Sequence, residues 1–440
     1  MKLPEYVLFC LNRLEEKGYP CYAVGGCVRD ALLGLTPHDY DLCTAATPQV
    51  MKEIFSDHSL VLSGEKHGTV GVIREHQVVE ITTFRQETGY SDSRHPDSVA
   101  FVNEIEEDLA RRDFTVNAMA YSPSRGLCDP FGGRKDLKKK ILRTVGDPEK
   151  RFQEDALRIL RGARFSIRYG LKPEDDTLRA MFALRENMDS LARERVFEEL
   201  CKLLPLATGD QLLLFAPIIT QVIPALRKCV GFDQRNKHHV FDVYTHIAHV
   251  CEAVDGDIVL RWAALLHDAG KPDTFALDEK GTGHFYGHAK VSARIANETL
   301  RNLKAPTALR ERVVLLIEQH MTPLEPDRKL LRRRLSRWGE SATRQLLALQ
   351  KADRCGKGVF SPEKMARFSA VGNLLDQLVA ESSCLTLKSL AVNGHDLMAL
   401  GYTGSRIGEI LNSLLQQVVD ETLPNEKTAL LQAVKDTERK

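Results

Sequence analysis

One stretch, YAVGGCVRDALLG at residues 22–34 with Asp39-Tyr40-Asp41 just beyond it, constrains this chain more than any other. Its order predicts a strand, a glycine turn, a short helix over 28–34 and a second strand that carries two carboxylates. Gly25 and Gly26 have no side chains, so a phosphate can approach the backbone N–H groups there. The helix N-terminus that follows attracts anions. Asp39 and Asp41 are two apart, so on a strand both point to one face. Convergent carboxylates suit Mg²⁺, which takes oxygen ligands and keeps further positions for water and substrate phosphates.

Length sets the scale for the rest. At 440 residues the chain is expected to hold about two to four domains. Its 43% hydrophobic and 28% charged residues fit an ordinary globular protein. The formal net charge of +1 excludes a global basic bias, so any nucleic-acid contact must come from local patches. The 10 cysteines form no C-x-x-C pair, which argues against a zinc site or a disulfide framework. Free thiols without a signal peptide point to a reducing cytoplasm. No apolar run approaches the roughly 20 residues that span a bilayer, so no membrane role is expected.

Periodicity divides the chain into two regimes. A helix over 4–17 ends at Gly18, and strands are expected at 21–24, 40–43, 60–62, 69–73 and 78–84, with a helix near 48–55. These predict a mixed sheet with flanking helices up to about residue 140. The segment 87–98, rich in Ser, Asp, Gly and Pro, reads as a loop. From about 149 onward helical periodicity dominates. The class is therefore α+β, with the sheet at the N-terminus and an all-α remainder.

Other motifs carry chemistry. Glu80, in VVEITTFR, is a candidate third carboxylate beside the two aspartates, and Arg85 ends that strand. RRDFTVNAMA (111–120) supplies Arg112 and Asp113, and arginine suits phosphate through its two-pronged donor fork. In RFQEDALRILRGARF (151–165), a helical reading puts Asp155 and Arg158 on one face, with Arg161 and Arg164 beyond. A carboxylate accepts from an exocyclic amino group and a guanidinium donates to ring acceptors. One Asp–Arg pair can thus complement both cytosine and adenine and reject uracil and guanine. ARERVFEEL (192–200) would brace that helix through Glu194, Arg195 and Glu198. The basic run at 327–339 reads as a helix with one buried and one cationic face. That face is either a solvated surface or a contact for RNA backbone.

Taken together, these motifs resemble the nucleotidyltransferases that add CCA to tRNA 3′ ends and their poly(A) polymerase relatives. The resemblance spans nearly the whole chain. It implies a nucleotidyltransferase head at 1–140, a neck at 141–208, a helical body at 209–380 and a tRNA-binding tail at 381–440. It also implies Mg²⁺ on Asp39 and Asp41, with Glu80 beside them. Gly25, Gly26, Arg29, Arg112, Asp113, Asp155, Arg158, Arg161 and Arg164 would bind nucleotide, Asp113 by checking the ribose hydroxyls. CTP, ATP and the tRNA acceptor end are the implied partners. Within this class, A-only addition and poly(A) synthesis are the alternatives. The segment 87–96 with Arg94 speaks for A addition.

A second set is ordered His246, His267-Asp268, His288, His320, Asp353, with His284 a weaker candidate. It resembles the HD phosphohydrolase superfamily and implies one or two divalent ions (Mn²⁺, Ni²⁺ or Mg²⁺) that activate water against a phosphoester. A phosphohydrolase whose N-terminal half only binds RNA is therefore the rival from another class. The intact carboxylates of that half argue against it.

Overall fold

The computed structural model describes residues 1–88, 98–236, 240–358, 361–381 and 385–437. They fall into two compact units, one of 1–207 with 214–224 and one of 208–213 with 225 onward.

The first unit opens with α1 (Glu5–Glu16) and β1 (Cys21–Val24), then α2 (Gly26–Leu32), β2 (Asp41–Thr44) and α3 (Pro48–Ile54). Strands β3 (Leu60–Val61), β4 (Thr69–Arg74) and β5 (Gln77–Thr83) follow, then a side hairpin of β6 (Arg85–Thr88) and β7 (Ser98–Phe101). Next come α4 (Ile105–Ala110), β8 (Ala120–Ser122), β9 (Gly126–Cys128) and α5 (Gly133–Lys139). The main sheet runs β3-β4-β5-β2-β1-β8-β9, antiparallel throughout except for the parallel pair β2–β5. All four residues of β1 are buried, as a strand covered on both faces requires. β5 alternates instead, with Val79 and Ile81 in the core and Glu80 on the other face. Four helices complete the part used below: α6 (Pro148–Glu154), α7 (Leu157–Tyr169), α8 (Asp175–Ala183) and α9 (Arg193–Leu203).

Several sequence expectations change here. Strand β2 begins at Asp41, so Asp39 precedes it rather than sharing its pleat. Helix α2 starts at Gly26, two residues earlier than predicted. β8 and β9, three residues each, are too short to show a period. Of the loop expected at 87–98, Glu87 and Thr88 end β6 and Ser98 begins β7, while 89–97, including Arg94, lie outside the described residues.

The second unit is mostly helical, with one small hairpin pairing Phe275–Leu277 with Gly283–Phe285. Its helices start on side-chain caps: Asp242 accepts from Tyr244 N (2.9 Å) and Asp257 from Leu260 N (2.9 Å). The helix Arg328–Gly356 kinks at Gly339, whose φ of 79° only glycine adopts freely. The kink separates the basic run from the turns that carry Asp353. That run is largely spent inside the unit. Arg332 donates to the carbonyls of Val419 (2.8 Å) and Val418 (2.9 Å), Arg333 pairs with Asp420, and Arg328 bridges Glu381 and Glu421. These cations grip the C-terminus of helix Ser405–Val419, the negative end of its dipole. Leu397, Leu414, Val418, Leu430 and Val434 form a small separate core in the last fifty residues. No described helix is long and apolar enough to cross a membrane.

Candidate active site and metal centre

In the first unit a polar cavity gathers Gly25, Gly26, Arg29, Asp39, Asp41, Arg112, Asp113, Asp155, Arg158, Arg161 and Arg164. Sequence reasoning named these eleven as candidates, and the fold brings them together. Glu80 is not among the lining residues. It pairs in parallel register with Asp41, so the two carboxylates share a sheet face. Loss of solvation, with repulsion from Glu80 and Asp39, raises the Asp41 pKa against the pull of Arg112. Crowded carboxylates of this kind suit a divalent cation, which relieves their mutual repulsion.

Seven arginines and four aspartates line the cavity, a surplus of three positive charges that favours a polyphosphate. The cations are held from behind. Buried Asp108 on α4 accepts from Arg111 Nη2 (2.8 Å) and Arg112 Nη2 (3.2 Å). Gly25 sits at φ 71°, and a Cβ there would lie 2.7 Å from Arg112 Nη1. The glycine is needed both for the turn and for the arginine beside it. Arg164 pairs with buried Glu199 (2.6 Å).

Two roles differ from expectation. Asp155 is not in a helix with Arg158; it occupies the break between α6 and α7, with extended dihedrals. Its Oδ1 accepts from Leu157 N (2.9 Å), starting α7, and its Oδ2 accepts from Arg195 Nη2 (3.0 Å) of α9. Arg158 donates to the carbonyls of Arg151 (3.1 Å) and Arg111 (3.2 Å) and pairs with Glu154. The two residues are thus fixed by separate partners, which presents a rigid donor–acceptor edge. Asp113 accepts from Phe114 N (2.8 Å), Asn117 Nδ2 (3.0 Å), Arg161 Nε (2.9 Å) and Arg161 Nη2 (2.7 Å). Four donors fill a carboxylate's acceptor sites, so Asp113 orients Arg161 rather than meeting a ribose hydroxyl. Burial pushes its pKa up, but Arg161 and Asn117 outweigh that and hold it at about 2. The bracing of α7 runs through Arg195 and Glu199, not through Glu194 and Glu198. Asp108 and Glu199 were missed because a lone acid in a helix carries no signal of its partner.

Residues 21–143 match the poly A polymerase head domain, 170–213 the RNA- and SrmB-binding site of polymerase A, and 284–434 tRNA nucleotidyltransferase domain 2. The CCA-adding enzyme of Levilactobacillus brevis is 35% identical over 432 residues, covering 97% of this chain and 96% of that one. The chain belongs to the CCA-adding enzymes. The CCA-adding enzyme of Streptococcus gordonii is 34% identical over 428 residues, again with 97% and 96% coverage. The crystal structure of the Bacillus stearothermophilus CCA-adding enzyme in complex with CTP superimposes with a TM-score of 0.74. It is 28% identical, with full coverage of both chains.

This CCA-adding family member holds a second polar cluster, in its other unit. His246, His267, Asp268 and Asp353 offer ligand atoms that all lie within 4.8 Å of one another, and Asp268, His288 and His320 form an adjoining group. Each imidazole places its Nδ1 against a backbone carbonyl: His246 to Gly356 (3.0 Å), His267 to Ala264 (2.8 Å), His288 to Phe285 (2.8 Å), His320 to Ile317 (2.7 Å). A carbonyl only accepts, so Nδ1 carries the proton and Nε2 presents its lone pair. The Nε2 atoms then face carboxylates or one another. His246 Nε2 is 3.0 Å from Asp353 Oδ1, His288 Nε2 is 3.3 Å from Asp268 Oδ1, and His288 and His320 meet Nε2 to Nε2 at 3.2 Å. His267 Nε2 is buried and makes no hydrogen bond. Converging lone pairs of this kind are relieved by shared protons or by a metal cation, and the donor set suits one or two divalent ions. His284 stands apart from both groups and pairs with Asp278 Oδ2 (3.0 Å).

Proposed function

We propose that the cavity of the first unit transfers CMP and AMP from CTP and ATP to the 3′ end of tRNA, building or repairing CCA without a nucleic-acid template. One observation carries this reading: Asp39 and Asp41, the Asp155–Arg158 edge and a net cationic wall line a single cavity. CTP in the B. stearothermophilus relative supports it. Asp155 accepts from the exocyclic amino group of cytosine or adenine, and Arg158 donates to the neighbouring ring acceptor. Gly25 and Gly26 admit the phosphates, and Arg29, Arg112, Arg161 and Arg164 surround them with charge. Asp39 and Asp41, with Glu80 beside them, would hold Mg²⁺, which would neutralise triphosphate charge and lower the pKa of the attacking hydroxyl. The tRNA 3′-hydroxyl attacks the α-phosphorus, the bond to the β-phosphate oxygen breaks, and pyrophosphate leaves. The rest is positioning. The working compartment is the cytoplasm, in keeping with nine described cysteines that are all free. The test incubates the chain with tRNA ending at position 73, 74 or 75 and each labelled nucleoside triphosphate, then sequences the 3′ ends. Extension by C, C and A in order is expected; A alone would assign A-only addition, and a run of A poly(A) synthesis.

A second activity is favoured by the four converging Nε2 atoms. His246, His267, Asp268, His288, His320 and Asp353 would hold Mn²⁺, Ni²⁺ or Mg²⁺ and hydrolyse phosphoesters such as 2′,3′-cyclic phosphates. Such a metal supplies an activated water and charge stabilisation at phosphorus. Metal analysis, followed by hydrolysis with each added ion, tests it. Protein that retains no metal and hydrolyses nothing would leave the histidines a packing role.

A further inference from the structure

The cavity that opens onto His288, His320, Asp268 and Asp353 has a wall that metal binding does not use. Tyr286 stands on that wall with 76% of its surface exposed, the most exposed large hydrophobic side chain among those described. His284 lies parallel to it, 8° between planes and 5.4 Å between centroids. His284 is itself pinned by Asp278, which also accepts from Thr282 N (2.8 Å) to close the hairpin. Tyr286 follows that hairpin directly, and His288, whose Nδ1 meets the Phe285 carbonyl, comes two residues later. One rigid turn therefore sets both the aromatic face and a ligand imidazole. Lys271 and Lys357 line the same cavity as ammonium groups.

We propose that Tyr286, backed by His284, is a stacking platform for the base of a nucleotide whose phosphoester reaches the histidine cluster. The chemistry matches on each part of such a ligand. An aromatic face left in water gains most from a planar π-surface, and every nucleobase offers one. The lysines and the cluster suit the phosphate. A substrate without a base would leave Tyr286 idle. The inference deepens the phosphohydrolase reading and rests on it for the reacting group, but the stacking stands on its own geometry.

The test uses the full chain with Mn²⁺. In Tyr286→Trp, the emission gained over the parent reports on this wall. Adenosine 3′-monophosphate should quench it saturably, and glycerol 3-phosphate, which has no base, should not. A short RNA ending in a 3′-phosphate is the second arm. Tighter quenching by the RNA names an RNA end as the source, and tighter quenching by the nucleotide names the free form; both support the platform. In hydrolysis, Tyr286→Ala should raise KM for adenosine 3′-monophosphate about tenfold, with kcat within about twofold. Glycerol 3-phosphate should be unaffected, and Tyr286→Phe should restore the parent KM. Absence of quenching overturns the proposal, as does an unchanged KM in Tyr286→Ala. If the parent hydrolyses no phosphoester yet the indole is quenched, the hydrolase reading falls and the platform stands.

Discussion

The two polar clusters draw on the same kinds of side chain and arrive at opposite electrostatics. In the first unit Asp108 holds Arg111 and Arg112, Asp113 holds Arg161, Glu199 holds Arg164 and Asp155 is held by Arg195. Pairing fixes the arginines along the cavity wall, where seven of them outnumber the four lining aspartates, so the wall is built to receive an anion. In the second unit Lys271 and Lys357 pair with the two aspartates, and it is the converging imidazole lone pairs that suit a cation. Burial and hydrogen bonds from the main chain make the difference. Carbonyls turn four imidazoles into inward-facing acceptors, whereas carboxylates turn the arginines into oriented donors.

The contrast breaks first at the carboxylates. Asp39→Ala or Asp41→Ala should cut both CMP and AMP incorporation at least about a thousandfold, some 4 kcal/mol of barrier, while a filter-binding assay still finds tRNA bound. His267→Ala should leave addition within about twofold of the parent. A matching collapse of addition in His267→Ala would mean that the sites do not work separately.

Metal linkage comes next. A divalent ion at about 100 times its dissociation constant stabilises a folded unit by roughly 2.7 kcal/mol. In the transition of the second unit, calorimetry with and without chelator should show that gain in the parent and in Asp41→Ala but not in His267→Ala. Equal metal-dependent shifts in all three would place the ion elsewhere.

A pH scan sharpens the comparison from the other side. The folded Asp113 carboxyl sits at about 2, below its ordinary value of 3.8. A depressed carboxyl stabilises the fold above its unfolded pKa and loses that contribution as pH falls through the folded value, here between about 4 and 2. The contribution is about 2 kcal/mol. Asp113→Asn should flatten the acid limb of the melting curve in that window. An acid limb as steep as the parent's would assign the stability to another group.

Much of this was legible in the sequence, and the illegible parts share a cause. β1, β4 and β5 were placed to within a residue or so because each carries its own apolar run, and the order of the histidine series needed only reading along the chain. The brace at 192–200, Arg195 included, was named from its motif, but which acid or cation each side chain would meet left no trace in local pattern. Glu199 for Arg164, Asp108 for Arg112 and Arg195 for Asp155 are 35, 4 and 40 residues apart, and only the shortest of these could be guessed from a helical period. The helical period also misled at Asp155, where a side-chain cap ends one helix and begins another. Composition marked the basic run as cationic but not its contacts, since sequence alone does not place the helix terminus met by Arg332 and Arg333 next to it.

The smallest effects test that cap. Asp155→Ala or Arg158→Ala should relax discrimination against UTP and GTP, since a lost pair of hydrogen bonds to a base is worth about 1–3 kcal/mol in comparable readout. Arg195→Ala should act in the same direction but more weakly. It leaves the Asp155 and Arg158 side chains in place; it frees Asp155 Oδ2 from its 3.0 Å brace, and the Leu157 N–H still holds Oδ1. The expected signature is a misincorporation ratio between those of the parent and Asp155→Ala, with Arg195→Lys nearer the parent. Parallel reactions with four competing nucleoside triphosphates measure it. If Arg195→Ala discriminates as strictly as the parent while Asp155→Ala does not, the main-chain cap alone sets the edge. If it is as lax as Asp155→Ala, the ion pair is the whole of the support, and the rigidity attributed to the helix break belongs to Arg195 instead.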